Sequence, residues 1–261
     1  MNDDGQVLPE MREKWQETLG WQPTPEQQQQ FQQLYELILD GNRQLNLTRI
    51  TDSVEFWEKH LWDSLSGVRG GMGSRESVGA IRELPVLGSR ESGSYQVIDI
   101  GTGAGFPGIP VAIVCPDWTV TLLDSTRKKM AFLDTVLDVM GIQNAKTLVN
   151  RAEQVGRHPQ HREVYDLALI RAVATASVCA EYALPLLKLG GVGVLYRGQW
   201  TPAEEQHLER SISQLGGKLA EVDRFITPLS QGIRHCITLK KVKPTPAQFP
   251  RAVGIPVQKP L

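Results

Sequence analysis

Two acids, with a run of glycines between them, are the residues best placed for chemistry. Asp99 stands near the end of the apolar run Val97–Ile100, and Gly101, Gly103 and Gly105 alternate through the residues that lead to Phe106, Pro107 and Gly108. A short apolar run of this kind reads as a buried parallel strand, and Pro107 marks where a helix can start. Glycines in the turn let a ligand approach the backbone closely. The helix start beyond presents unpaired N–H groups that suit a carboxylate or a phosphate. The second acid, Asp124, closes the next apolar run, Val120–Leu123, about 20 residues on, where an acid would meet ribose hydroxyls. Together the acids and glycines point to a nucleoside-bearing ligand rather than a bare strand–helix turn. Counted from Gly101 and Gly103, the dinucleotide fingerprint fails, because Phe106 stands where its last glycine belongs.

The rest of the chain must hold these residues in place. Its 261 residues can bury one large core, or a core with a small appendage. A formal net charge of −1 predicts no strong global attraction to nucleic acid. The charge is uneven, however. Asp223 is the last acid, and Arg224, Arg234, Lys240, Lys241, Lys243, Arg251 and Lys259 follow it. Residues 243–261 therefore read as a basic tail able to touch phosphates, and its five prolines argue against long regular structure. Cys115, Cys179 and Cys236 lack metal-ligand spacing and read as inert thiols in a reducing compartment. No metal site is expected. Neither a leader nor a bilayer-length apolar run is apparent, so a cytoplasmic protein without membrane contact is expected.

Along the chain, residues 1–22 read as a flexible N terminus and 23–66 as a helical cap. Thr24, Pro25 and Gln27 form a helix start with a capping box, Phe31, Leu34, Tyr35 and Ile38 mark its buried face, and Gly41 can end it. A second helix starts at Asp52 and carries Phe56, Trp57, His60, Leu61, Trp62 and Leu65, with His60 read as a packed core residue. Residues 67–94 read as a flexible insertion in which Gly73–Ser77 recurs as Gly88–Ser92. From Tyr95 to about residue 242, strands and helices alternate as in a parallel α/β sheet. A helix is expected over Thr175–Leu189, and Leu219–Ile226 and Ile233–Lys240 close the domain as an antiparallel hairpin.

Ligands of open α/β sheets bind beyond the carboxyl ends of the strands. Arg151, Ala152 and Glu153 follow the third strand, Arg171–Ala174 the fourth, and Arg197 ends the fifth. No Asn/Asp-Pro-Pro-aromatic run of the kind used on exocyclic amines follows strand four, and no cysteine nucleophile sits at a strand end. An acceptor with a free lone pair and no proton to lose, such as guanine N7, needs neither. Arg171 and Arg197 are candidates to bind phosphate or a guanine edge in the reaction, with an ion pair to an acid such as Glu153 as the plainer alternative. Arg127, Lys128, Lys129 and Arg197 are candidates for RNA contact, with Lys129 the more readily explained as a solvated helix residue.

The Asp-x-Gly-x-Gly-x-Gly run resembles the first motif of S-adenosylmethionine-dependent methyltransferases. The chain as a whole resembles the small-subunit (16S) rRNA guanine-N7 methyltransferase G family, also called glucose-inhibited division protein B. The resemblance rests on Asn46-Leu47-Thr48, on His60 with Asp63-Ser64, on Asp99 to Pro110, on Leu122 to Ser125, on Arg151 to Glu153, on Arg171 to Ala174 and on Leu184 to Lys188. It implies a Rossmann-like class I methyltransferase sheet, an S-adenosylmethionine cofactor, and 16S rRNA or the small ribosomal subunit as partner of a monomer. Gly101 and Phe106, with Asp99, Gly103 and Gly105, would then shape the cofactor loop. Asp124, Ser125 and Thr126 would meet the ribose and adenosine end, Ala152 and Glu153 would line the adenine pocket, and Arg171 would contact cofactor or substrate. Arg197 stands where many relatives carry lysine. A small-molecule or protein acceptor, and a non-catalytic ribosome-assembly role, are the competing readings.

Overall fold

The apolar run before the glycines is the central strand of the parallel part of the sheet. The computed structural model describes residues 7–72 and 94–261. In it, β1 (Tyr95–Ile100), β2 (Trp118–Asp124), β3 (Ala145–Val149), β4 (Tyr165–Arg171), β5 (Leu187–Arg197), β6 (Gly217–Ile226) and β7 (Ile233–Lys241) form one sheet in the order β3-β2-β1-β4-β5-β7-β6. The first five pair in parallel, and β7 lies antiparallel to both β5 and β6. The chain leaves β1 toward β2 on one side and returns to β4 on the other. The loops after β1 and β4 therefore part at a switch point, where such sheets bind ligands.

Helices cover both faces, so the central strands are apolar on both sides. In β4, Leu167 and Leu169 join one core cluster, and Ala168 and Ile170 the other. The first cluster also takes in Phe31, Leu34, Tyr35, Phe56, Trp57 and Trp62 of the N-terminal helices. The helical part thus shares the sheet's core.

The capping box forms as the sequence predicts, with Gln27 N donating to Thr24 Oγ1 and Thr24 N donating to Gln27 Oε1. Asp52 caps the second helical run through Val54 N and Glu55 N. That run passes through one π-helical stretch, Trp57–Trp62, a form frequent at functional sites. It is tied to the sheet where Tyr196 Oη donates to Ser64 O, and to the β6–β7 loop where Leu229 N and Ser230 N donate to Glu58 Oε1.

Several expectations need correction. Within the stretch expected to be a flexible N terminus, Arg12–Leu19 is a helix, and Leu8, Trp15 and Leu19 are buried. Its apolar residues are too sparse to show a period, yet these three fill the core. The helix from Pro25 runs through Gly41 to Leu45. Gly41 is a close-packing site rather than a stop, since a Cβ there would sit 2.3 Å from Phe132. The helix expected to reach Leu189 spans only Ala176–Ala183, because Pro185 cannot donate the next helical bond, and β5 already begins at Leu187. The tail is docked: Thr245, Phe249 and Pro256 are buried. Arg162 donates to the carbonyls of Thr245 and Phe249, and Arg157 to that of Pro250. Most of the 67–94 insertion, with its repeat, lies outside the described residues. Its first part packs in the fold, with Val68 buried and Arg69 ion-paired to Asp223.

Candidate functional site

The glycine loop is tied to the end of β2 before any ligand is considered. Gly101 N and Thr102 N both donate to Leu123 O. Asp124, at the end of β2, accepts from Gly103 N at 3.1 Å and from Thr126 N at 2.8 Å. Its carboxylate is thereby aimed by backbone alone. Gly103 has φ +60, and a Cβ there would meet no atom nearer than Gly101 O at 3.9 Å, so the space over it is open. Gly105, with φ +93, serves packing instead: a Cβ there would lie 2.5 Å from Ile109 Cδ1. Asp99 is fully buried under the loop and accepts from Gly108 N at 2.8 Å. Burial pushes its carboxyl up to about 6. Asp99 thus pins the start of the following helix.

Above this loop is a cavity of about 550 Å³, a size typical of small-molecule sites. Of the predicted cofactor residues, Gly101, Gly103, Phe106, Asp124, Ser125, Ala152, Glu153 and Arg171 line it. Asp99, Gly105 and Thr126 do not; they hold the loop from behind. Lys129, a candidate for RNA contact, lines the cavity together with Arg151, while Arg127 and Lys128 are exposed beside it. All three cations open the helix Arg127–Met140, where the helix dipole opposes positive charge. None of the three is ion-paired among the described residues.

The other end of the cavity is assembled from distant segments. Arg171 Nη1 donates to Lys59 O at 2.8 Å and to Asp63 Oδ2 at 2.9 Å. Its guanidinium carbon lies 5.7 Å from the centre of the Phe106 ring. Asp63, and not Glu153, is therefore its acid. His60 stacks on Phe106 at 4.4 Å between centroids, and its Nε2 is 2.8 Å from Thr48 Oγ1. Burial, then Arg171 and Lys59, lower its pKa to about 3, so the ring is neutral at pH 7. His60, Leu47, Val173, Tyr182 and Val257 line the cavity without having been chosen from the sequence. For His60, Leu47 and Val173 a signal is present, because the fragments that carry them stand among the matching family motifs.

Arg197 does not line the cavity. Its Nη1 donates to Ala174 O at 2.7 Å, and its Nη2 stands 3.7 Å from Glu204. It braces the loop after β4, whose Ala172 holds φ +55. Three of the cations that follow Asp223 are engaged: Arg251 pairs with Glu181, Lys241 with Glu163 and Arg234 with Asp63, so charge asymmetry overstates what this stretch offers to phosphates. The three cysteines are free and buried, and burial pushes Cys179 up to about 11 and Cys236 to about 12. No helix among the described residues is long and apolar enough to cross a membrane, and no described group of His, Cys, Asp and Glu could hold a metal.

The open space over Gly103 and the backbone-aimed carboxylate of Asp124 at the switch point fit a nucleoside-bearing methyl donor. With the sheet closed by an antiparallel hairpin, they define a class I S-adenosylmethionine-dependent methyltransferase. The chain belongs to the rRNA small subunit methyltransferase G family, whose profile matches residues 27–236. Relatives named ribosomal RNA small subunit methyltransferase G include those of Trichormus variabilis (62% identity, 98% of this chain and 99% of the relative) and Nostoc punctiforme (58%, 98% and 99%). The relative in Trichodesmium erythraeum is 56% identical over 100% of this chain and 98% of its own length. The solved fibrillarin of Methanococcus jannaschii, a pre-rRNA processing protein, aligns with a TM-score of 0.46 at 16% identity over 57% of this chain and 68% of that one. That likeness is too remote to carry function.

Proposed function

We propose that this protein transfers a methyl group from S-adenosylmethionine to N7 of a guanine in small-subunit (16S) ribosomal RNA, acting as a cytoplasmic monomer. The observation that carries the reading is that the glycine loop, Asp124 and Arg171 meet in one cavity, in a chain of this family. When bound, the cofactor supplies an electrophilic methyl group on a sulfonium. Gly101, Gly103 and Phe106 hold its methionine end, Asp124 and Ser125 its ribose, and Ala152 and Glu153 its adenine.

Guanine N7 carries a lone pair and no proton, so the acceptor needs orientation and dehydration rather than a base. Orientation alone supplies about 7–11 kcal/mol of barrier lowering. The residues at the acceptor end suit that task. His60 is neutral and held by Thr48, and Arg171 is a fixed cation whose Nη1 is spent on the helical run. Arg171 orients the guanine or its phosphate, and Arg197 acts through the loop it braces. Arg127, Lys128, Lys129 and Arg151 supply phosphate contacts at the mouth; cations tolerated against a helix dipole fit an anionic partner. These local charges offset the near-neutral total that favoured a small-molecule or protein acceptor.

The test is to incubate the purified protein with small ribosomal subunits, with deproteinised small-subunit rRNA and with methyl-labelled cofactor, and to digest the RNA to nucleosides. Label in 7-methylguanosine is expected. Label in another nucleoside, or none in RNA, contradicts the reading.

A further inference from the structure

We propose that the C-terminal segment Gly254–Gln258 is a wall of the cofactor pocket, fixed in place by the Arg251–Glu181 pair. The proposal rests on the reading of the cavity as a cofactor site. Three observations lead to it. First, the segment is anchored at a point that does not yield readily. Glu181 is fully buried, and Arg251 meets it through Nε at 2.9 Å, Nη2 at 2.6 Å and its own backbone N at 2.8 Å. A two-pronged guanidinium–carboxylate pair fixes direction as well as distance.

Second, the segment reaches the residue after β3 that faces the cavity. Gly254 N donates to Glu153 Oε1 at 3.0 Å, and Tyr182 Oη donates to the same oxygen at 3.2 Å. Glu153 is 4% exposed. Both donors converge on one oxygen, which leaves Oε2 without a hydrogen-bond partner among the described residues. Oε2 is not among the buried atoms left without a partner, so it is open to the cavity that Glu153 lines, where a ligand N–H can donate to it. Third, Val257 lines the same cavity and is 57% exposed among the described residues, an apolar surface open to a ligand. A carboxylate oxygen beside an apolar side chain suits the edge and face of an amino-substituted aromatic base. The tail therefore positions Glu153 and covers the base, and is not a free arm for RNA.

Hydrogen–deuterium exchange on the full chain, with and without S-adenosylmethionine, tests this. Binding should slow exchange both in Gly101–Phe106 and in Gly254–Gln258. In parallel, Val257→Asp should weaken cofactor binding by calorimetry about ten-fold, a change of about 1.4 kcal/mol. Val242→Asp, on a side chain 41% exposed and outside the cavity lining, should leave binding unaltered. Protection of the glycine loop with no change in Gly254–Gln258, together with wild-type affinity in Val257→Asp, overturns the wall. No protection in either segment overturns the cofactor reading itself, and the wall with it.

Discussion

The two ends of the cavity are built in different ways. At the glycine end, backbone groups do the work: Asp124 is aimed by Gly103 N and Thr126 N, and the loop is tied to Leu123 O. All the partners lie within a short stretch of chain. At the acceptor end, side chains do the work. Arg171 reaches back 108 residues to Asp63, and His60 bridges Thr48 and Phe106. The first construction suits a constant ligand, since backbone positions hardly depend on side-chain choice. The second depends on three segments meeting, and it fails as a unit when any one of them is altered.

The largest effect is expected from Asp63→Ala. It leaves Arg171, with only 15% of its side chain exposed, facing no carboxylate, and loss of one partner of a buried pair costs about 3–5 kcal/mol. Urea unfolding should show this, and rRNA methylation should fall with it. Cofactor affinity measured below the unfolding transition should hold; an equal collapse there would show that the two ends are not separate constructions. Asp124→Asn should do the reverse. Loss of a charged acceptor should cost about 1.5–3 kcal/mol in cofactor binding by calorimetry, with little change in the unfolding midpoint.

Stability against pH should separate the ends by sign. His60 titrates near 3 when folded against an ordinary 6.5, so its unfolded form binds the extra proton between those values. The stability it contributes is present above pH 6.5 and lost as pH falls through about 3. Asp99 is the opposite case, raised from 3.8 to about 6, so its contribution is present below pH 3.8 and lost as pH rises through about 6. Unfolding midpoints across that range should therefore flatten at the acid side in His60→Gln, and lose a decline between about pH 4 and 6 in Asp99→Asn. Identical profiles for wild type and both variants would contradict both assignments. The smallest effect is expected at the mouth: Lys128→Ala should lower the salt slope of RNA binding by about 1, read from affinities at several salt concentrations. An unchanged slope removes Lys128 from the contact surface.

How much the sequence revealed follows the same division. The sheet, the hairpin and the Asp99–Asp124 arrangement could be read directly, because apolar runs, glycines and acids there act on near neighbours. Even the capping box at Thr24 formed as expected. Positions set by distant partners were misread. Gly41 looks like a helix stop until Phe132 is seen against it. Arg251 looks like a free cation until Glu181, 70 residues away, is found beneath it. His60 reads as a core residue, and it is one, at 8% exposure; that it also lines the cavity depends on Phe106 arriving from the glycine loop. Arg197 carries the charge expected of a substrate contact, but the carbonyl of Ala174 claims it.

The most direct test of the central claim is mass spectrometry of small-subunit rRNA from cells with and without the gene for this protein. One 7-methylguanosine should vanish on deletion, return with the wild-type gene and stay absent with Arg171→Ala, provided that variant accumulates as folded protein. An unchanged methylation map in the deletion strain would contradict the assignment of rRNA as the acceptor.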